Sequence, residues 1–135
     1  MDSINLFGYK LTSCLHVNLN MQIKTTTEDK FHIIEIYGDV DASSSIKLDQ
    51  SVEDAVKEGF KDILVDCSNL NYISSAGLGV FMSHIEEFKE KEICFALFGL
   101  SPKVKNVFEI LGLDKLLQIL DTKQEAKEIK DKEVK

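Results

Sequence analysis

Along this chain the spacing of hydrophobic residues switches repeatedly between two periods, and each switch predicts an element. From Asn18 to Thr27, NLNMQIKTTT alternates weakly and is rich in β-branched residues, which predicts a first strand. KFHIIEIYGD, from Lys30, predicts a second that ends at Gly38, and the short polar link TEDK between them implies an antiparallel hairpin. After GDVDASSS the period becomes helical through Leu48, Val52, Ala55 and Val56, with Asp41 or Ser43 as N-cap and Gly59 as the stop. KDILVDC, residues 61–67, is a continuous apolar run of the kind a strand covered on both faces shows. The polar loop SNLNYIS follows, and then Leu78, Phe81, Met82, Ile85 and Phe88 recur at three or four residues, predicting one amphipathic helix to about Lys89.

EICFALFGL is a further buried strand. SPKVKNVFEILGL opens with Ser101 as cap and Pro102 at the first helical position, turns Val104, Val107, Phe108 and Leu111 inward, and stops at Gly112 with Leu113 folding back. LLQIL is a short edge strand or a turn, and the charged tail from Thr122, with Ala126 and Ile129 inside it, is a terminal helix that frays. Strands alternating with helices after a hairpin predict a single α/β domain: a mixed, mostly parallel sheet of four to five strands packed with about four helices. That domain is expected over residues 21–135, with residues 1–20 a separate N-terminal extension and Met21 an alternative start.

Composition narrows the function classes. With 135 residues, 44% hydrophobic and 29% charged, the chain is long enough to bury a core of its own. Its formal net charge of −7 opposes binding to nucleic acid or to an anionic membrane surface. No apolar run approaches the length of a membrane-spanning helix, so no direct membrane insertion is expected. The first twenty residues lack a basic start followed by a sustained apolar stretch, so a cytoplasmic location is expected. Cys14, Cys67 and Cys94 are too widely spaced for a ligand pair, and Cys67 and Cys94 fit the role of small packed hydrophobes. His16, His32 and His84 lack neighbours at metal-ligand spacing, and the pair His84 and Glu87 has the form of a solvated helix contact, so no metal and no cofactor are assigned.

The stretch NYISSAGLGVF, residues 71–81, stands apart. If the helix begins at Ala76, Ser75 is its N-cap, and its hydroxyl either accepts a backbone N–H or projects into solvent beside unpaired donors. Gly77 and Gly79 are costly in a first turn, about 1 kcal/mol each against alanine. They either let the helix press against a strand or clear space for an approaching surface.

DCSNLNYISSAGLGVF resembles the signature of the anti-sigma factor antagonists, the small STAS-domain proteins of bacterial partner switching. GDVDASSS resembles that family's Gly-x-x-Asp segment, and SPKVKNVFEILGLDKLLQI its late helix, so the resemblance spans roughly residues 20–125. It implies a transcription-regulating switch rather than an enzyme. On this basis an anti-sigma factor serine/threonine kinase phosphorylates the residue matching Ser75; the unphosphorylated form binds that kinase and releases a sigma factor, the phosphorylated form does not bind, and a PP2C-type phosphatase resets it. The implied partner-binding residues are Asp41, Ser74, Ser75, Ala76, Gly77, Leu78 and Gly79, on a monomer. One departure is that Ser74 stands where the family carries aspartate, which makes Ser74 a second-choice acceptor.

Bland roles compete with these. Asp41 serves as a helix cap, an interface residue or both; Ser43, Ser44 and Ser45 suit a solvated helix start; Asp66 suits loop amides at a strand end. Two rival functions remain in view: a STAS scaffold or accessory subunit of a transporter or lipid-trafficking complex that is never phosphorylated, and a small hydrolase using Ser75. The hydrolase lacks an identifiable base to activate a serine hydroxyl.

Overall fold

Strand alternation sorts the apolar residues into two layers. In the computed structural model, which describes residues 21–129, the sheet has five strands in the order β1-β2-β3-β4-β5. They are β1 (Met21–Glu28), β2 (Phe31–Val40), β3 (Asp62–Ile73), β4 (Cys94–Phe98) and β5 (Gln118–Leu120). β1 and β2 form the expected antiparallel hairpin, whose turn places Asp29 at φ 57°, and the remaining neighbours are parallel. Ile34, Ile36, Ile63, Val65, Phe95 and Leu97 point to one side and join a large core; Ile33, Leu64, Ala96 and Phe98 point to the other.

The large core is closed by α1 (Ser44–Lys57), α2 (Ser75–Ser83), α3 (Ile85–Glu90) and α4 (Pro102–Ile110), through Leu48, Val52, Leu78, Phe81, Phe88, Val104 and Phe108. Cys67 is fully buried within it, and desolvation raises its thiol well above the ordinary range, so it packs as an inert hydrophobe. On the opposite face, among the described residues, a single helix, α5 (Lys123–Lys127), lays Ala126 against the sheet with Ile129 just beyond it. Thr122 caps α5 through the Glu125 N–H, and Lys123 and Lys127 pair with Glu28 at 2.9 Å each. The segment expected to fray is therefore packed over residues 122–129, and its last six residues lie outside those described.

Three further expectations are corrected. The supposed loop 68–74 is strand as far as Ile73. β3 slips against β2 between Glu35 and Tyr37 and again between Gly38 and Asp39, each time by an extra residue in β3. These bulges turn a two-residue alternation into burial at Cys67, Leu70 and Ile73, a spacing that does not read as β. The helix expected to run to Lys89 breaks at His84 into α2 and α3. Leu111, placed on an inner stripe, is 57% exposed, whereas Leu113 does fold back into the core after Gly112 at φ 74°. At the other end of α4 the predicted cap holds, with Ser101 Oγ accepting from Val104 N–H at 3.3 Å.

Candidate functional site

Parallel strands end at the same edge of a sheet, and here β2 and β3 end level: Val40 pairs with Ile73, and the Ser74 N–H donates to the Val40 carbonyl at 2.8 Å. Asp41 follows Val40 and Ser74 follows Ile73, so the starts of α1 and α2 stand side by side at the carboxyl edge of the sheet. Open α/β sheets carry their functional loops at this edge.

Asp41 is a cap, but for the turn leading into α1. Its Oδ1 accepts from the Ser44 N–H at 2.9 Å, and the Ser44 hydroxyl accepts in return from the Asp41 N–H at 2.8 Å, a reciprocal capping box. The Ser44 N–H, and after it the hydroxyls of Ser43 and Ser44, hold the Asp41 carboxyl below the ordinary carboxylate range, so it is a fixed anion at neutral pH. Ser44 and Ser45 are buried rather than solvated, and Ser45 Oγ donates to the Ala42 carbonyl at 2.7 Å.

The second helix begins one residue earlier than expected, and this changes the role of both serines. Ser74, in extended conformation, is the N-cap: its Oγ accepts from the Gly77 N–H at 3.2 Å, and its carbonyl accepts from the Leu78 N–H at 2.9 Å. Ser75 is the first helical residue, exposed, and its hydroxyl has no side-chain hydrogen bond among the described residues. Serine and aspartate are nearly equivalent caps, so Ser74 performs the local job that an aspartate at this position would perform. Ser74→Ala is expected to lower stability by about 1 kcal/mol in urea denaturation, and Ser74→Asp to restore most of it.

The two glycines separate cleanly. A Cβ on Gly77 would lie 2.7 Å from Ile73 Cγ1 and 2.8 Å from Val40 Cγ1, so this glycine lets α2 sit on the two strand ends. A Cβ on Gly79 would meet nothing within 4 Å. Gly77 and Leu78 face inward, while Ser75, Ala76 and Gly79 are exposed and Ser74 and Asp41 are half-buried. Ser75, Gly79 and Met82 share one stripe of α2 at i, i+4 and i+7, and Met82 is 45% exposed. Tyr72 at the end of β3 and Ile46 in the first turn of α1 are exposed as well, at 51% and 73%. In the sequence Met82 reads as part of the inward helical stripe and Tyr72 as part of a polar loop, and Ile46 is off the apolar stripe of its helix, so sequence reasoning does not select them.

The edge thus carries a bare hydroxyl, a neighbouring anion and exposed apolar side chains, with no general base against Ser75 among the described residues. No described helix is long and apolar enough to cross a membrane. The STAS domain family matches residues 22–126. The anti-sigma-B factor antagonist of Staphylococcus aureus (strain NCTC 8325 / PS 47) is 30% identical over 101 residues, 75% of this chain and 94% of that protein. Among solved structures, an anti-sigma factor antagonist from Mycobacterium paratuberculosis aligns with TM-score 0.71 at 20% identity, covering 79% of this chain and 91% of the other. SpoIIAA aligns in its unphosphorylated form with TM-score 0.67, covering 79% of this chain and 94% of that one, at 20% identity. The phosphorylated form of SpoIIAA from Bacillus aligns with TM-score 0.59 at 20% identity, covering 78% and 95% of the two chains.

Proposed function

The chain belongs to the STAS-domain family of anti-sigma factor antagonists, regulatory binding proteins rather than enzymes, and on that premise we propose that it is a partner switch operated by phosphorylation of Ser75. The observation that carries this reading is the exposed Ser75 hydroxyl, left without a side-chain partner because Ser74 caps the helix. In this reading the unphosphorylated face, with Asp41, Ser74, Ser75, Ala76 and Gly79 around it, docks an anti-sigma factor serine/threonine kinase and so releases a sigma factor. The partner supplies ATP and magnesium, since the chain has no phosphate-cradling loop of its own. A PP2C-type phosphatase resets the switch. The protein works as a monomer in the cytoplasm, with residues 21–135 as the switching domain and residues 1–20 as an extension.

A phosphoserine adds about −1.5 to −2 charges with strong acceptor oxygens. At the first helical residue it meets free backbone N–H groups and the positive end of the helix dipole, so the fold tolerates it. Docking does not. The centre of an interface of about 1,600 Å² is desolvated, and an unpaired dianion beside the fixed Asp41 charge is costly there. A penalty of about 3–4 kcal/mol weakens association several-hundred-fold.

Incubation with the cognate anti-sigma kinase and Mg-ATP, followed by phosphate-affinity electrophoresis and mass spectrometry, tests the reading. Stoichiometric phosphate on Ser75 is expected, with Ser74 unmodified because its oxygen is engaged in the cap. Modification of neither serine would sink the switch and leave the constitutive scaffold.

A further inference from the structure

Away from the Ser75 face, one group of side chains brings metal-ligating atoms together among the described residues. Asp49 and Glu53 are one turn apart on α1, so their carboxylates share a face. His84 stands at the joint between α2 and α3, and the packing of these helices against α1 brings its Nε2 to 2.8 Å from Asp49 Oδ1. One donor atom from each of Asp49, Glu53 and His84 lies within 4.8 Å of the other two. His84 is 5% exposed, and its ring stacks on Phe88 with centroids 5.2 Å apart. At its other nitrogen, Nδ1 lies 3.4 Å from Glu87 Oε1, and Glu87 is itself held by Lys91 at 2.7 Å.

Carboxylates accept hydrogen bonds and do not donate them. A neutral imidazole has one N–H, so it can serve Asp49 or Glu87 but not both. With the proton on Nε2 the 2.8 Å contact is a hydrogen bond to Asp49 and the bare Nδ1 faces Glu87 at 3.4 Å; with it on Nδ1 toward Glu87, the Nε2 lone pair faces the Asp49 carboxylate, and a cation between them makes that contact attractive. A second proton is one such cation, and it leaves Glu53 unused. A divalent metal ion uses all three groups, with Glu87 as the outer carboxylate that fixes the tautomer of a ligating histidine.

We propose that Asp49, Glu53 and His84 form a binding site for a divalent cation of the zinc type. One imidazole and two carboxylates suit Zn2+ better than Mg2+ or Ca2+, which take all-oxygen shells. In a tetrahedral zinc site two ligands each about 2.0–2.2 Å from the ion lie about 3.3–3.6 Å apart. From the observed limit of 4.8 Å the donor atoms must therefore close by about 1.2–1.5 Å at most, and the 2.8 Å contact of His84 with Asp49 must open slightly, movements left to the two carboxylates, of which Asp49 is 39% exposed in its side chain. Three protein ligands leave a position open to water. The bound ion would staple α1 to the α2–α3 joint, and the site stands whether or not Ser75 is modified.

The test is calorimetric titration of the untagged full chain with ZnCl2 at pH 7.5, alongside Asp49→Asn, Glu53→Gln, His84→Gln and Glu87→Gln. Saturable binding of one ion is expected, weakened about tenfold or more by each ligand substitution and about tenfold by Glu87→Gln. Asp49 and Glu53 are at most half-buried, so the double variant Asp49→Asn/Glu53→Gln keeps the test valid if the buried His84 variant does not fold. A Cys14→Ser/Cys94→Ser variant is expected to bind as the parent does. The absence of saturable binding below about 1 mM, binding that survives in Asp49→Asn/Glu53→Gln, or binding lost in the cysteine variant would each overturn the proposal.

Discussion

Ser75→Glu is expected to weaken binding to the anti-sigma kinase about a hundredfold or more, equivalent to about 2.7 kcal/mol, with the melting temperature within a few degrees of the parent. The two halves of that expectation have separate causes. Stability is spared because Ser75 occupies the first helical position, is exposed, and has no side-chain partner to lose among the described residues. A carboxylate in the first turn is also on the favourable side of the helix dipole. Affinity is lost because the added charge sits next to the Asp41 anion and on the stripe of α2 that carries the exposed Met82. Ser75→Ala is the matching control and is expected to bind as the parent does. Surface plasmon resonance and circular dichroism on the three proteins decide the matter: full binding by a folded Ser75→Glu variant would remove Ser75 from the switch.

Gly77→Ala is expected to destabilise the fold by about 1–3 kcal/mol, whereas Gly79→Ala is expected to be neutral or to stabilise it by up to about 1 kcal/mol. Both replacements gain helix propensity, so the difference between them isolates packing. At Gly77 the new methyl would press on Cγ1 atoms of Ile73 and Val40, which belong to β-branched side chains with little freedom to move. At Gly79 the methyl enters open space. Urea denaturation of the pair measures the contrast, and equal stabilities would refute the close contact of α2 with the strand ends. Kinase binding adds a second reading: if Gly79→Ala is folded and stable yet binds poorly, the partner approaches α2 at the gap between Ser75 and Met82.

The elements that were legible in the sequence are those in which one period runs undisturbed. β2, β4 and α1 have apolar spacing that matches a single geometry from end to end, and Gly59 at φ 92° and Ser101 at the start of α4 sit where their chemistry demands. Legibility fails where geometry is irregular. The distal half of β3 reads as loop because its two bulges leave Cys67, Leu70 and Ile73 as the inward residues. The break at His84 is hidden because Leu78, Phe81, Ile85 and Phe88 continue a helical spacing across it. At the candidate site, residues 71–81 stand out in the sequence, but the division of labour between Ser74 and Ser75 depends on a one-residue shift in the helix start. The Asp49–Glu53–His84 group was not found at all, since no local spacing links residues that meet only when α1 packs against the α2–α3 joint.

The bulged end of β3 also bears on how such a protein can change. Its two additional residues bring Ser74 level with Asp41 while the proximal half of the strand stays in register with the sheet. A residue gained or lost in that stretch would carry Ser75 about 3.3 Å up or down the strand axis and would also turn Leu70 or Ile73 out of the core. The height of Ser75 above the sheet edge is therefore tied to the packing of the core beneath it, and the length of β3 between Asp66 and Ile73 is expected to tolerate little change.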